Sequence, residues 1–132
     1  MLYVESSALM KRYRPERETD FAIRAMADDP VLVTSHLTEV EIRRHLPRFY
    51  EGEELARVRR QLQVDLDEFA LVGLDADICS DAARIAEETL CRSLDAIHLA
   101  AARRASPSAT VLTFDQRQAR AARTIGLAVV GA

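Results

Sequence analysis

Apolar residues along the chain form short runs, separated by longer segments in which they recur every three or four positions. The short runs are predicted to be β-strands because they are bounded by turn-forming or charged residues. Apolar and polar positions do not alternate within them, which is typical of strands buried on both faces. The predicted strands are Leu2–Glu5, Val31–Thr34, Phe69–Val72, Thr110–Thr113 and Leu127–Val130.

The segments between the predicted strands have the spacing of amphipathic helices, most clearly over residues 55–69, 78–90 and 94–105. This alternation predicts a three-layer α/β/α domain, in which helices cover both faces of a central parallel sheet. Two successive helical segments, residues 37–48 and 51–68, predict a protruding helical hairpin between the second and third strands. The stripe over residues 55–69 is interpreted as core and hairpin packing, with an interface for a partner as the alternative.

The composition is that of one globular domain spanning residues 1–132. Apolar residues make up 48% and charged residues 30% of the sequence, which excludes a disordered chain. The two cysteines, Cys79 and Cys91, are too few for a disulfide scaffold. No apolar stretch approaches the ~18 residues of a membrane-spanning helix, and early charges argue against a signal peptide. We therefore expect a cytoplasmic location, no membrane contact and reduced cysteines.

The basic residues are almost all arginines. Lys11 is the only lysine among 18 basic residues, although the net charge of the chain is −3. A planar guanidinium group suits bidentate contacts with phosphate, so some of these arginines are candidates to face a nucleic acid. The simpler interpretation is that they form solvated helix faces.

Four carboxylates lie near the predicted carboxyl ends of strands. Glu5 ends the first strand, Asp115 follows the fourth, Glu41 lies one turn into the helix after the second, and Asp95 begins a later helix with Ser93 as its N-cap. Ligands of open α/β sheets bind at this edge. Converging carboxylates would repel each other and raise each other's pKa values, so we expect a cation to neutralise them.

Simpler explanations exist for three of these acids. Asp95 and Asp115 could favour a helix N-terminus through the helix dipole. Glu41 could pair with Arg44 or His45 on the surface of its own helix. Glu5 is harder to explain in this way, because an unpaired carboxylate that closes an apolar strand is costly to bury.

All-oxygen ligation selects a hard cation, which predicts Mg²⁺ with Mn²⁺ as a possible substitute. Such an ion lowers the pKa of a water that it binds and stabilises charge on a phosphoryl oxygen. The chemistry that this site predicts is hydrolysis of a phosphodiester.

The segments MLYVESSALMKRY, VEIRRHL, LCRSLDAIHLAAA and VLTFDQRQARAARTIGL resemble the four acidic motifs of PIN-domain ribonucleases. They are most similar to the toxin half of VapBC toxin–antitoxin pairs. The resemblance covers nearly the whole chain, and RSLDAIHLAAA is its most specific part. The VEIRR segment is a weaker match, since Glu39 is a near alternative to Glu41.

The resemblance implies a PIN-like fold with Mg²⁺-dependent endoribonuclease activity. It assigns the four acidic positions to Glu5, Glu41, Asp95 and Asp115, with Glu5, Asp95 and Asp115 as metal ligands. It also implies a cognate VapB-type antitoxin that covers the active-site groove, an RNA substrate and a homodimer.

Substrate contacts are expected from Ser6, whose position usually carries Thr in the family, and from Arg12. His98 lies three residues after Asp95 and is interpreted as a residue packed beside the sheet, with a place in the pocket as the alternative.

The sequence departs from the family at its first acidic position, where Glu5 replaces the usual Asp. The extra methylene moves the carboxylate by about one C–C bond, and a misplacement of about 1 Å can cost ~100-fold in rate. The alternative function is therefore a weakened or inactive PIN domain that binds RNA or protein. A phosphohydrolase is a poorer match, because Ser6 and Ser7 follow Glu5 where a phosphatase needs a second Asp. A signalling receiver is also a poorer match, because it needs an Asp at the end of the third strand and Asp75 lies a few residues beyond it.

Overall fold

A five-stranded sheet forms the centre of the molecule. The computed structural model describes residues 1–132. All neighbouring strands are parallel, and their order across the sheet is β3-β2-β1-β4-β5. The predicted central parallel sheet is thereby confirmed. The strands are β1 (Leu2–Val4), β2 (Leu32–Ser35), β3 (Ala70–Val72), β4 (Thr110–Thr113) and β5 (Ala128–Gly131).

Seven α-helices and one short 3-10 helix connect the strands. None of the helices is long and apolar enough to cross a membrane. The α-helices are α1 (Ser6–Met10), α2 (Thr19–Asp28), α3 (His36–His45), α4 (Gly52–Asp67), α5 (Ala76–Thr89), α6 (Ser93–Ala105) and α7 (Gln116–Thr124), and the 3-10 helix is Leu46–Arg48.

Burial on both faces holds for the three central strands only. β1, β2 and β4 are buried at nearly every position. The edge strands β3 and β5 are exposed or half-buried throughout, which corrects the expectation for these two. The reason is the strand order, because an edge strand has a neighbour on one side only and less cover from helices.

Each face of the sheet packs against its own group of helices, which makes the domain three-layered. On one face, Leu9 of α1, Met26 of α2, Ile42 of α3 and Leu62 of α4 belong to a single buried cluster with β1. On the other face, the cluster combines side chains of α5, α6 and α7 with β1, β2 and β4. Three successive buried alanines, Ala100, Ala101 and Ala102, make α6 narrow enough to pack closely against its neighbours.

The predicted pair of helices between β2 and β3 is present as α3 and α4, joined through the 3-10 helix. The inner face of α4 carries Val58, Leu62 and Leu66, all buried in the core cluster. Its first turn, residues 52–54, is exposed. The apolar stripe of α4 is therefore core packing, and the hairpin is anchored to the domain along most of its second helix.

Helix α2 was not predicted. Its buried side chains are Ala22 and Met26, which lie four residues apart and give only one small and one large apolar position. Charged residues surround them, and Phe21 and Ile23 are exposed. The apolar period is therefore too weak to identify the helix without its tertiary contacts.

Candidate active site

One pocket at the carboxyl edge of the sheet contains all four predicted acids. Its volume is about 350 Å³. The four acids reach it from four separate parts of the chain, because β1, α3, α6 and the β4–α7 connection all meet at this edge. The lining residues are Glu5, Ser7, Glu41, His45, Arg92, Ser93, Leu94, Asp95 and Asp115.

Glu5 leaves β1 and caps the N-terminus of α1. Its Oε1 accepts the backbone N–H of Ser7 at 3.0 Å, and its Oε2 accepts the Ser7 hydroxyl at 2.5 Å. The Thr113 hydroxyl lies 3.5 Å from the same Oε2. Glu5 is only 7% exposed, and this burial raises its pKa, with His98 and Ser7 opposing the effect. The carboxylate is thus held firmly at the end of β1 at an electrostatic cost.

Asp115 caps the N-terminus of α7 immediately after β4. Its Oδ1 accepts the backbone N–H groups of Arg117 at 2.8 Å and of Gln118 at 3.0 Å. Partial burial raises the pKa of Asp115, but these two bonds and the charge of Arg92 outweigh it, so the net pKa is lowered. The simpler explanation of Asp115 as a capping residue is therefore correct, and its second oxygen still faces the pocket.

Arg92 connects the two aspartates. Its Nε donates to Asp95 Oδ2 at 2.8 Å, and its Nη2 donates to Asp115 Oδ2 at 2.6 Å. Gln118 Nε2 approaches the other oxygen of Asp95 at 3.4 Å. The N-cap position of α6 is Arg92, and no side-chain bond caps the helix, so the predicted capping role of Ser93 is wrong.

Glu41 is held by a serine and a histidine. Its Oε1 accepts the Ser6 hydroxyl at 2.6 Å and lies 2.5 Å from His98 Nε2. Burial raises the pKa of Glu41, but the bonds from His98 and Ser6 prevail and lower it overall. The neighbouring acid Glu39 instead pairs with Arg43 on the surface, at 3.4 Å, so the pocket contains Glu41 and not Glu39.

His98 joins Glu41 to the centre of the sheet. Its Nδ1 lies 2.8 Å from the hydroxyl of Tyr3 on β1, and the side chain is fully buried. Burial raises the pKa of Tyr3, so this phenol stays protonated and can donate to Nδ1. The Nε2 proton of His98 is then available to Glu41. His98 both packs beside the sheet, as interpreted, and reaches the edge of the pocket through Glu41.

The two predicted substrate contacts differ in their placement. Ser6 is buried, and its hydroxyl is used by Glu41, with His98 Nε2 3.1 Å away. Arg12 does not line the pocket: its guanidinium lies 3.8 Å from Asp65 of α4 and over the ring of Phe69. Helix α1 ends at residue 10, and the turn that follows carries Arg12 towards α4.

Groups of the protein itself compensate the charge of the acids, whereas the sequence predicted a cation in this role. Arg92 shares its one positive charge between Asp95 and Asp115, Ser7 and Thr113 hydrogen-bond Glu5, and Glu41 has its own partners. The pKa of Glu5 is raised, chiefly by burial, whereas the pKa values of Glu41 and Asp115 are lowered. The protein's own groups therefore perform much of the role that the sequence assigned to a cation.

The donor chemistry of the pocket nonetheless fits a hard divalent cation. Glu5, Asp95 and Asp115 offer only carboxylate oxygens, which Mg²⁺ and Mn²⁺ prefer. No group of three acidic, His or Cys side chains is arranged to hold a metal ion, and Arg92 lies between Asp95 and Asp115. The Arg92 side chain is 63% exposed, so a cation that replaced it would not have to displace a buried group.

Sequence comparisons agree with this geometry. The family model of the PIN domain matches residues 2–124. The chain belongs to the PIN domain family. Over 98% of its length it is 42% identical to ribonuclease VapC35 of Mycobacterium tuberculosis, strain H37Rv, covering 96% of that protein. It is also 33% identical to ribonuclease VapC46 of the same strain, over 98% of this chain and 95% of that protein. The resemblance to VapC-type PIN domains is confirmed.

Solved structures show the same PIN fold. FitAcB from Neisseria gonorrhoeae superimposes with a TM-score of 0.80 at 19% identity, covering 98% of this chain and 96% of that one. VapBC2 from Rickettsia felis, bound to a DNA fragment from its promoter, gives a TM-score of 0.69 at 12% identity, covering 98% and 97%. These PIN-domain neighbours confirm the α/β fold class.

Proposed function

We propose that this protein is a divalent-metal-dependent endoribonuclease and the toxin of a VapBC-type toxin–antitoxin pair. The observation that carries the proposal is the convergence of Glu5, Glu41, Asp95 and Asp115 in one pocket of a PIN domain. The similarity to two ribonucleases of the VapC type supports the choice of RNA as substrate.

The four acids divide into two roles in the proposed reaction. Glu5, Asp95 and Asp115 would hold Mg²⁺ or Mn²⁺, with Arg92 turned away from the aspartates. The ion, when bound, would activate a water and neutralise charge on the scissile phosphate. Glu41 remains ionised because His98 and Ser6 stabilise its charge, so it is suited to accept a proton or orient the attacking water.

The partners follow from the same family relationship. We propose that a VapB-type antitoxin inhibits the enzyme by covering the pocket and that the toxin forms a homodimer. Support for the antitoxin comes from VapBC2 of Rickettsia felis, a structural neighbour of this chain. We further propose that residues 1–132 act as one PIN domain in the cytoplasm, where RNA is available.

The decisive experiment is incubation of the purified protein with total RNA in Mg²⁺, in Mn²⁺ or in EDTA, followed by mapping of the cut ends. We expect cleavage with either ion and none with EDTA. Asp95→Asn should reduce cleavage by 100-fold or more, since a metal ligand is lost. Asp77→Asn is the matched control, because Asp77 also lies in the first turn of a helix but is exposed and does not line the pocket. Equal cleavage by Asp95→Asn and the parent would refute the proposal.

One observation favours a second function, that of an RNA- or protein-binding module without cleavage. Arg92 already bonds both Asp95 and Asp115, so these two aspartates have an internal partner without a metal ion. Expression in a bacterial host distinguishes the two functions. Growth arrest that Asp95→Asn relieves supports the enzyme, whereas growth arrest that Asp95→Asn retains supports the binding module.

A further inference from the structure

A second pocket lies next to the acidic one, and Arg92 belongs to both. Its volume is about 300 Å³, and no acidic residue contributes to its walls. It is formed where the end of α5 and the α5–α6 connection meet one face of α7. The lining residues are Thr89, Leu90, Cys91, Arg92, Arg117, Arg120, Ala121 and Thr124. We name this the arginine pocket.

Two of the three arginines in the arginine pocket have no acidic partner. Arg117 and Arg120 lie three residues apart on α7, which places them on the same side of the helix. Neither takes part in any of the ion pairs of the molecule, unlike Arg43, Arg84 and Arg104, which pair with surface acids. Their positive charge is therefore available to a ligand.

A different depression, which shares Glu5, Glu41 and His45 with the acidic pocket, is less suited to an anion. Its lysine, Lys11, is already paired with Glu16 at 2.8 Å and Glu18 at 3.2 Å. Arg14 there is stacked over the ring of Phe49, 3.7 Å from its centre. Arg14 and Arg48 take part in no ion pair, but Glu5, Glu16 and Glu41 line the same depression, whereas no acid lines the arginine pocket.

We propose that the arginine pocket binds a backbone phosphate of the RNA next to the phosphate that is cleaved. The inference rests on the proposed nuclease function. A polyanion that approaches four carboxylates is repelled, so its binding needs fixed cations beside them. The guanidinium groups of Arg117 and Arg120 provide planar donors for phosphate oxygens. The hydroxyls of Thr89 and Thr124 on the walls are further donors of the right type.

The test compares RNA binding by variants that cannot cleave. The Asp95→Asn protein and the same protein with Arg117→Gln and Arg120→Gln are titrated with a fluorescent single-stranded RNA in Mg²⁺ at several salt concentrations. Loss of one phosphate contact should weaken binding by about tenfold or more. It should also reduce the slope of log affinity against log salt by about 0.7. In the cleaving protein, the same two substitutions should raise KM and leave kcat nearly unchanged.

Arg123→Gln is the matched control, since Arg123 lies on the same helix, is exposed and does not line the arginine pocket. It should change neither affinity nor salt slope. Thermal melting of each variant establishes that it is folded. If the double variant binds RNA with the parent's affinity and slope while the parent cleaves RNA, the arginine pocket is not a phosphate site and the nuclease function stands. If the parent neither binds nor cleaves RNA, both proposals fail.

Discussion

The four acids of the pocket differ in what compensates their charge. Glu5 is compensated by hydroxyl and backbone donors, Glu41 by a serine and a buried histidine, and Asp95 and Asp115 by the guanidinium of Arg92. Only the last of these compensating groups is an exposed, charged side chain that competes directly with a metal ion. Metal binding should therefore be sensitive to Arg92 above all.

Arg92→Gln should strengthen binding of Mn²⁺, because Asp95 and Asp115 lose their internal cation. Removal of one positive charge near the site should make the free energy of Mn²⁺ binding more favourable by about 1.4 kcal/mol, which is roughly a tenfold lower dissociation constant. Titration of free Mn²⁺ by electron paramagnetic resonance measures this without any enzymatic assay. Arg123→Gln serves as the control and should leave the affinity unchanged. Weaker binding by Arg92→Gln would show that Arg92 does not compete with the ion.

Glu5→Asp should preserve or raise cleavage, whereas Glu5→Ala should abolish it. Aspartate is a favoured N-cap residue, so the shorter side chain can still accept from the first turn of α1. The substitution also restores the aspartate that the family usually carries at this position. Cleavage rates at saturating RNA measure the effect, with a loss of ~100-fold or more for the alanine variant. A large loss for Glu5→Asp would mean that the pocket has adapted to glutamate.

At the scale of the elements, the ends of helices determine how the pocket is built. Glu5 and Asp115 each cap the helix that follows their strand, so two candidate metal ligands are fixed by the same bonds that start α1 and α7. The end of α5 has a less favourable backbone conformation than these helix starts. Leu90 there has φ 58° and ψ 22°, the left-handed conformation that favours glycine.

Leu90→Gly should stabilise the protein by about 0.5–1 kcal/mol. The leucine side chain is 87% exposed, so little packing is lost, and the strain of the left-handed conformation is relieved. The greater freedom of glycine in the unfolded chain offsets part of the gain. Urea denaturation at equilibrium measures the change. Leu74→Gly, at an exposed position outside the helices, is the comparison and should not stabilise.

Across the whole molecule, the buried acid at the end of β1 makes stability depend on pH. The folded pKa of Glu5 lies above the ordinary value of about 4.3. Between these two values the folded protein binds more protons than the unfolded protein, so this group makes stability fall as pH rises. Glu41 and Asp115 have lowered pKa values and act in the opposite direction, since their contribution is lost as pH falls.

Glu5→Gln should therefore gain stability relative to the parent as pH rises from about 4.3 towards neutrality. Glutamine keeps the shape of the side chain but has no charge to bury. The contributions of Glu41 and Asp115 are common to both proteins and cancel in the comparison. Free energies of unfolding in urea with EDTA, measured at several pH values, give the difference. A difference that is constant with pH would show that Glu5 titrates normally.

Local patterns predicted the elements whose apolar spacing is strong. The five strands shift by at most one residue at an end, and α4 follows its predicted stripe through Val58, Leu62 and Leu66. Helix α2 escaped prediction because it buries little, and the periodic pattern of α5 overran its end at Leu90. A repeat of apolar residues cannot distinguish a last helical turn from an exposed left-handed cap.

The contacts between the acids and their partners could not be predicted from local patterns in the sequence. Arg92 lies 23 residues from Asp115, and His98 lies 57 residues from Glu41. The only local signal for Arg92 was its position three residues before Asp95, which a surface ion pair explains equally well. Arg12 does not line the acidic pocket, because nearness in sequence to Glu5 does not determine direction after a helix of five residues, and its contact with RNA stays a prediction.

The sequence alone determined the type of fold and which four acids are candidates, because strand and helix periods and strand-end positions are local properties of the chain. The tertiary structure decided what those acids do to each other. Strand order brings β1, β2 and β4 side by side, and only then do Arg92, His98 and the arginine pocket meet the acids. Electrostatic compensation depends on distances in space, which no spacing along the chain specifies.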